Sequence, residues 1–340
     1  MAKDTVGFAI LGAGMVADYH HRAIKANAEA GARLVAVGYH ERKRFAEIGQ
    51  RFGVPCLSQD ELLAKPEVDV VCICTPNSQH AAQALAAIRA GKHVLVEKPM
   101  ALSLSHADAM IQASQEAGVK LGVVLQRRTE PLFKAVYDAI AAGDLGELTL
   151  GVITIPYYRS QSYYQQAAWR SAWGSGVLMS QGIHLLDLLV WYMGDPVEAH
   201  AMGATLHRQI GVEDTLAASL KFANGSLATI SATTTAAPGF PHRLELYGTG
   251  GGIQLEGEGA ITWQLADPAQ ARITPPPLER ASGAGAGGDP RGIDPTGHIN
   301  IVRDFIAALR EGRQVAVDGA EGRRSLAAVL AVYRAAGLVA

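Results

Sequence analysis

The run Val6-Gly7-Phe8-Ala9-Ile10-Leu11 passes directly into Gly12-Ala13-Gly14-Met15-Val16-Ala17, and no other stretch restricts the fold of this chain as much. A short, continuous apolar run suits a strand covered on both faces, as the strands of a parallel sheet are. The glycines that follow suit a tight turn into a helix. Gly12 permits the turn, Gly14 leaves room for the backbone to approach a pyrophosphate, and Ala17 allows close helix-to-strand packing. The anion then sits on the helix amino terminus, at Met15 and Val16. A plain strand-to-helix turn has the same glycines, so the surroundings have to decide.

Those surroundings repeat the strand–helix alternation. A second strand is expected over 33–39, a third over 68–74, a fourth over 94–96 and a fifth over 120–125, with helices over 80–90 and 105–117. This alternation describes an α/β fold built on a doubly wound parallel sheet, the Rossmann arrangement. At the end of the second strand an acid normally binds the ribose 2′-hydroxyl of NAD. This chain has Tyr39 and His40 there, followed by Arg42, Lys43 and Arg44. The bases favour NADP(H); NAD is the alternative if Glu41 takes the ribose and the bases only decorate a helix start.

The third strand ends in Thr75-Pro76-Asn77-Ser78-Gln79-His80 and the fourth in Glu97-Lys98-Pro99. Ligands bind at the carboxyl edge of open parallel sheets, so these residues are candidates for the nicotinamide half of a cofactor and for catalysis. Asn77 and Ser78 equally suit plain helix caps, and His80 a supporting role. Cys56, Cys72 and Cys74 have no zinc-type spacing, so core packing is expected and no metal site.

Thirty basic and thirty-two acidic residues give a net charge of −2 over 340 residues, with no basic footprint for nucleic acid. No apolar run approaches the roughly 20 residues that span a bilayer. The first residues lead into a strand without a signal-peptide pattern, from which a cytoplasmic location is expected.

The second half reads differently. Strands are expected over 150–155, 199–207, 215–222, 225–234 and 243–247, with Asn224-Gly225 as a hairpin signal. Between them Tyr157, Tyr158, Tyr163, Tyr164, Trp169 and Trp173 cluster. Aromatic faces suit a sugar-binding wall, with Arg159 or Arg170 receiving a carboxylate or phosphate. Packing between domains is the other reading, and Trp169-Arg170 is the favoured substrate contact. His184 opens an apolar helix with Asp187 three residues on, where a helix allows contact. The stretch 282–290 reads as a flexible surface loop, and 298–311 and 319–336 as closing helices. His298, at a helix start, could reach the active site, with a cap or surface role as the favoured reading.

Taken together, the glycine turn, Thr75-Pro76-Asn77 with His80, Glu97-Lys98-Pro99, Gln126-Arg127-Arg128, Gly143-Asp144-Leu145-Gly146-Glu147-Leu148 and Gly182-Ile183-His184-Leu185-Leu186-Asp187 resemble the Gfo/Idh/MocA oxidoreductase family over essentially the whole chain. The resemblance implies a Rossmann domain at 1–127 and an α+β domain at 128–340, with an open, mostly antiparallel sheet for substrate binding and assembly into a homodimer or homotetramer. It implies an NAD(P)-dependent dehydrogenase or reductase acting on a sugar-like small molecule. Lys98 and His184 are then the proton-transfer candidates, and Arg127, Tyr158, Trp169, Arg170, Ser180, His184 and Asp187 the substrate contacts. Glu97 anchors Lys98 or the ribose, and the Lys98-Pro99 bond is cis as in relatives.

One position departs from the pattern. Many sugar and inositol dehydrogenases of the family carry Asp where this chain has Ser180, and some members acting on nucleotide-linked sugars show Asn-Gln-Gly-Ile-His, closer to Ser180-Gln181-Gly182-Ile183-His184. The substrate expectation therefore tilts to a sugar or nucleotide sugar and away from free inositol. The family also contains NAD-dependent glycosidases that oxidise, eliminate and re-reduce, and noncatalytic sensors. Lys98 with His184 argues against a sensor.

Overall fold

The computed structural model describes residues 5–278 and 294–339; the stretch 282–290 lies outside the described residues. Two compact units divide the chain, with breaks at Thr129/Glu130 and Leu326/Ala327.

In the first unit, six parallel strands are β1 (Val6–Leu11), β2 (Ala32–Gly38), β3 (Cys56–Leu57), β4 (Val70–Ile73), β5 (His93–Glu97) and β6 (Leu121–Val124), in the order β3-β2-β1-β4-β5-β6. Helices α1 (Met15–Ala26), α2 (Phe45–Phe52), α3 (Gln59–Leu63), α4 (His80–Arg89) and α5 (Leu104–Glu116) connect them. Every residue of β1, β4 and β6 is buried, which is why these strands read as unbroken apolar runs. The strand order reverses between β1 and β4. Leu11 pairs with Ile73, and Ile73 with Val96, so Gly12, Thr75 and Glu97 leave the sheet at one edge. Cys72 and Cys74 lie in the apolar core, and burial pushes both thiols up, as unreactive packing residues require.

A seven-stranded sheet forms the second unit: β7 (Leu148–Pro156), β8 (Pro196–Ala204), β9 (Thr215–Phe222), β10 (Leu227–Thr233), β11 (Arg243–Gly248), β12 (Gly251–Glu256) and β13 (Gly259–Leu265), in the order β13-β12-β11-β7-β10-β9-β8. Among the described strands of this sheet, only β7 and β10 pair in parallel. Ala228, Ile230 and Ala232 of β10 are buried while Leu227, Thr229 and Ser231 are exposed, so one face meets a core and the other is open. Helices α6 (Pro131–Ala142), α7 (Gln161–Gln165) and α8 (Ile183–Met193) pack with this sheet, and a π-turn, Val177–Gly182, leads into α8.

Strands β12 and β13 were not expected. Glycines at 248, 250, 251, 252, 257 and 259 erase the alternation that marks a strand. They answer to close packing: a Cβ on Gly250 would meet the Leu145 carbonyl carbon and the Gly146 nitrogen at 2.9 Å.

Helices α9 (Thr296–Glu311) and α10 (Gly319–Ala335) follow. The described residues of 294–326 belong to the first unit, whereas the sequence reading assigns everything after 127 to the second. The cause is the apolar stripe of α9. Ile301, Val302, Phe305 and Ile306 share one core with Phe8, Ile10, Ala17 and Ile24.

Candidate active site

Gly12 is held at φ +102°, and a Cβ there would lie 2.6 Å from the Cys74 carbonyl oxygen. Glycine is therefore obligatory at the crossing of β1 and β4. Gly14 is different. Its φ of −75° suits any residue, no side chain caps α1, and a Cβ would meet nothing within 4 Å. The position thus guards open space in front of a 12-residue helix whose first amides, at Met15 and Val16, take no cap from the Gly14 position. A pyrophosphate fits that cradle, with the positive helix end facing it. Arg51 donates to the Ala13 carbonyl at 2.8 Å and steadies the turn.

Three histidines and one acid organise the β5 exit. His80 lies between two backbone carbonyls, Nδ1 at 2.8 Å from Pro99 O and Nε2 at 2.9 Å from Thr75 O. Whichever ring nitrogen carries the proton donates to one of these carbonyls, and the ring fills the space between the ends of β4 and β5. Burial lowers its pKa despite those carbonyls. Thr75 Oγ1 donates to Gln83 at 2.6 Å, while Asn77 is buried at the start of α4 and Pro76 precedes it. The Lys98-Pro99 bond is cis, and Lys98 is half-buried beside Glu97.

Glu97 Oε1 lies 2.9 Å from His20 Nε2 and 3.6 Å from His298 Nε2. All three residues are buried. Burial pushes the Glu97 carboxyl up, but the hydrogen bond from His20 and the nearby His298 ring outweigh it and hold the carboxylate well below its usual range. His20 is lowered, chiefly by burial. The cluster is thus a carboxylate held by a neutral imidazole at His20. Its donors lie close enough together to hold a metal. A ligating imidazole, however, normally donates its other N–H to an acceptor, and Nδ1 of His20 and of His298 has no partner. With Oε1 engaged, Glu97 braces the edge next to Lys98.

Sequence reasoning missed His20 and favoured a cap or surface role for His298 over a reach into the active site. The available signal for His20 was its place on the buried stripe of α1 with Ala17, Ala23 and Ile24. His298 is stacked on Tyr19, which a helix-start position alone does not reveal.

Beyond β2, Tyr39 receives a hydrogen bond from Arg44 at 3.0 Å, and Arg44 also pairs with Glu47. Arg42 meets Glu61 at 3.1 Å, Lys43 meets Glu41 at 3.3 Å, and His40 meets Glu41 at 3.5 Å. Arg42 and Lys43 are exposed; Arg44 is the more constrained. Arg127 is buried in the turn after β6.

In the second unit, the π-turn carries Ser180 and ends at Gly182, just before His184 in α8. Asp187 is buried on α8, and Ser180 accepts from Gln181 at 3.1 Å. The aromatic cluster divides. Tyr157 and Tyr164 are buried and bonded to His242 and Thr234, which is core packing. Trp169 and Trp173 are exposed, and Tyr158 and Tyr163 half-buried. Arg170 lies 4.2 Å from the Tyr163 ring centre and 5.6 Å from that of Trp169. Arg208, over the Tyr158 ring at 5.2 Å, was also missed, because its loop has no periodicity.

A family model described as an oxidoreductase family with NAD-binding Rossmann fold matches residues 6–125, and one for the GFO/IDH/MocA C-terminal domain matches residues 133–254. The chain is 30% identical to an inositol 2-dehydrogenase of Rhizobium meliloti (strain 1021), covering 97% of this chain and 96% of that protein. It is 34% identical to a 1,5-anhydro-D-fructose reductase of Ensifer adhaerens, covering 84% and 82%. Among solved structures, the WlbA dehydrogenase of Bordetella pertussis in complex with NADH and UDP-GlcNAcA is similar with a TM-score of 0.86 at 29% identity, covering 98% of this chain and 97% of that one.

Proposed function

This chain belongs to the Gfo/Idh/MocA oxidoreductase family, and on that premise we propose that it moves a hydride between a nicotinamide dinucleotide and a carbinol or carbonyl carbon of a sugar, sugar derivative or nucleotide sugar. The observation that carries the reading is the shared edge where the Gly12–Gly14 cradle, Thr75 and Glu97-Lys98 leave the sheet. The similar proteins act on or hold a cyclic polyol, a sugar ketone and a nucleotide sugar by their names, which supports a sugar-like substrate.

Bound at the cradle, the nicotinamide supplies the hydride acceptor or donor. Lys98 takes the hydroxyl proton as an amine in the oxidative direction and returns it from its ammonium in reduction. His184 is the second proton-transfer group, and Ser180, Asp187, Arg127, Tyr158, Trp169 and Arg170 contact or orient the substrate. With Ser180 in place of an acid, His184 works without an Asp partner from that position.

NADP(H) is the favoured cofactor. No carboxylate stands at Tyr39 or His40, and the pairs that engage Arg42 and Lys43 are solvent-exposed. Exposed pairs contribute little and break readily for a 2′-phosphate. A second copy of the chain packs on the open sheet face around Met202, Val197 and Leu227, all exposed, giving a homodimer or homotetramer that light scattering reads.

Nicotinamide absorbance with product mass spectrometry, on sugars, sugar acids, glycosides and nucleotide sugars with both cofactors, tests the proposal. Net turnover is expected in the wild type, falling roughly 10² to 10⁴-fold in Lys98→Met and in His184→Asn. Turnover of either variant within tenfold of wild type removes that residue from proton transfer. Arg42→Ala with Lys43→Ala should lower kcat/KM for NADP at least tenfold and spare NAD; a wild type that prefers NAD overturns the cofactor choice. Glycoside cleavage without net cofactor turnover moves the chain to the glycosidases.

A further inference from the structure

Arg208 is a buried cation with no anion beside it among the described residues. Its Nε and Nη2 are sealed from solvent and have no hydrogen-bond partner, and the residue is 9% exposed. Of the two acids nearest in sequence, Glu213 accepts from the Tyr333 hydroxyl and the Leu178 amide, and Asp214 is likewise occupied. Its oxygens accept the backbone amides of Leu206, His207 and Arg208 at 2.8–2.9 Å and the Thr215 hydroxyl at 3.0 Å. Asp214 therefore fixes the loop that carries Arg208 and leaves the guanidinium unneutralised. A charge taken out of water needs a partner, and an arginine serving only the fold would have been paired with an acid or with backbone carbonyls.

The surroundings of Arg208 are positive and aromatic. The guanidinium lies 5.2 Å from the Tyr158 ring centre. On the same loops, Arg159 lies over Tyr157 and Tyr163, and Arg170 over Tyr163 and Trp169. Arg170 also has a buried Nε without a partner. Gln161 and the Gln209 backbone exchange hydrogen bonds at 3.0 and 3.3 Å, which locks the loop after β8 to the segment after β7. These loops leave one end of the sheet, after β7 and β8 and before β9.

That end also carries the approach to His184. The Val177 amide donates to the Glu213 carbonyl and the Leu178 amide to its carboxylate, each at 3.1 Å. Adjacent residues, Glu213 and Asp214, thus hold the turn leading to Ser180 and His184 and the loop carrying Arg208.

A guanidinium is a planar fork of donors that matches carboxylate and phosphate oxygens in pairs, and an aromatic face presets its plane. We propose that Arg208, backed by Tyr158 and with Arg170 at the same end of the sheet, receives an anionic group of the substrate, a carboxylate or a phosphate. The substrate is then an acidic sugar or a phosphate-bearing one, not a neutral polyol. This assignment rests on the sugar-substrate reading above, but its test does not need turnover.

Calorimetry and thermal shift would be run on the full chain with D-glucuronate, D-glucose 6-phosphate, inorganic phosphate, D-glucose and myo-inositol. The wild type should bind glucuronate or glucose 6-phosphate at least tenfold more tightly than glucose, and which of the two prevails identifies the group as carboxylate or phosphate. Arg208→Met and Arg208→Lys should each lose at least tenfold of that preference. Because the buried charge is gone, Arg208→Met without ligand should melt no lower than wild type, a result that a structural arginine would not give. Equal or absent binding across the probes overturns the proposal, as does an Arg208→Met protein that melts lower yet keeps the preference. Should Arg208→Met fail to fold, the arginine is structural, and retention of the preference by Arg208→Lys completes the refutation. If the preference holds while no sugar reduces or oxidises a nicotinamide, the oxidoreductase reading fails and the anion site stands.

Discussion

The Tyr333 hydroxyl donates to Glu213 Oε1 at 2.6 Å and accepts from the Met179 amide at 3.1 Å, both inside the second unit. With the bonds from Val177 and Leu178 to Glu213, three consecutive amides at the start of the π-turn find partners. Helix starts leave such donors unpaired, and here two residues remote in sequence supply them. Tyr333→Phe strands the Met179 N–H in the interior and should cost about 1–3 kcal/mol, read as a lower urea midpoint. The pH dependence separates Glu213 from a simple packing role. Burial raises its pKa from the ordinary 4.5, so its contribution is full below that value and is lost as pH rises through the folded-state pKa. Glu213→Gln should therefore approach or exceed wild-type stability at neutral pH and fall behind it in acid. A constant difference from pH 4 to 8 would count against a strained carboxylate.

Glu97 titrates with the opposite sign. Its pKa is lowered from 4.5, so its stabilisation is present above that value and lost as pH falls through the folded pKa. His20 and His80 are both lowered from 6.5, chiefly by burial. The unfolded chain protonates them first, and stability declines as pH falls below about 6.5, by up to roughly 1.4 kcal/mol per pH unit for each group. Urea unfolding of the full chain at pH 8, 6 and 5 should show this decline, and His20→Ala should flatten it. The same variant removes a donor from a buried carboxylate and should cost on the order of 3–5 kcal/mol at pH 8. A His20→Ala protein as stable as wild type at pH 8 would show that the Glu97 cluster contributes nothing.

Five strands of the first unit, β1, β2, β4, β5 and β6, were legible as apolar runs, with Thr75 and Glu97 at the carboxyl ends of β4 and β5, whereas the two-residue β3 is too short to leave a run. What lay outside local pattern was not. His20 acquires its role from Glu97, 77 positions later, and His298 acquires its role from the same carboxylate. Arg208 needs Tyr158, from a different loop, before its isolation has meaning. The assignment of α9 failed for a related reason. An apolar stripe shows that a helix is buried, but not which of two sheets buries it. In β12 and β13, glycine serves close backbone packing at the expense of the alternation that would have revealed the strands.

Gly12 and Gly14 look alike in the sequence and should behave oppositely when replaced. At Gly12 the positive φ and the Cys74 carbonyl 2.6 Å from a Cβ put both backbone strain and a clash on the folded chain. Gly12→Ala should then lose roughly 1–3 kcal/mol or more of stability. Gly14 has an ordinary φ and open space around a Cβ, so Gly14→Val should fold with a melting temperature close to wild type. Its methyl groups would occupy the space in front of the Met15 and Val16 amides, and dinucleotide affinity should drop at least tenfold, read by quenching of protein fluorescence with NADH and NADPH. The contrast is the discriminating result. If Gly14→Val binds both dinucleotides as wild type does, the amino terminus of α1 is not the pyrophosphate site. If it also unfolds early, the open space in front of Gly14 has a structural duty that its geometry does not account for.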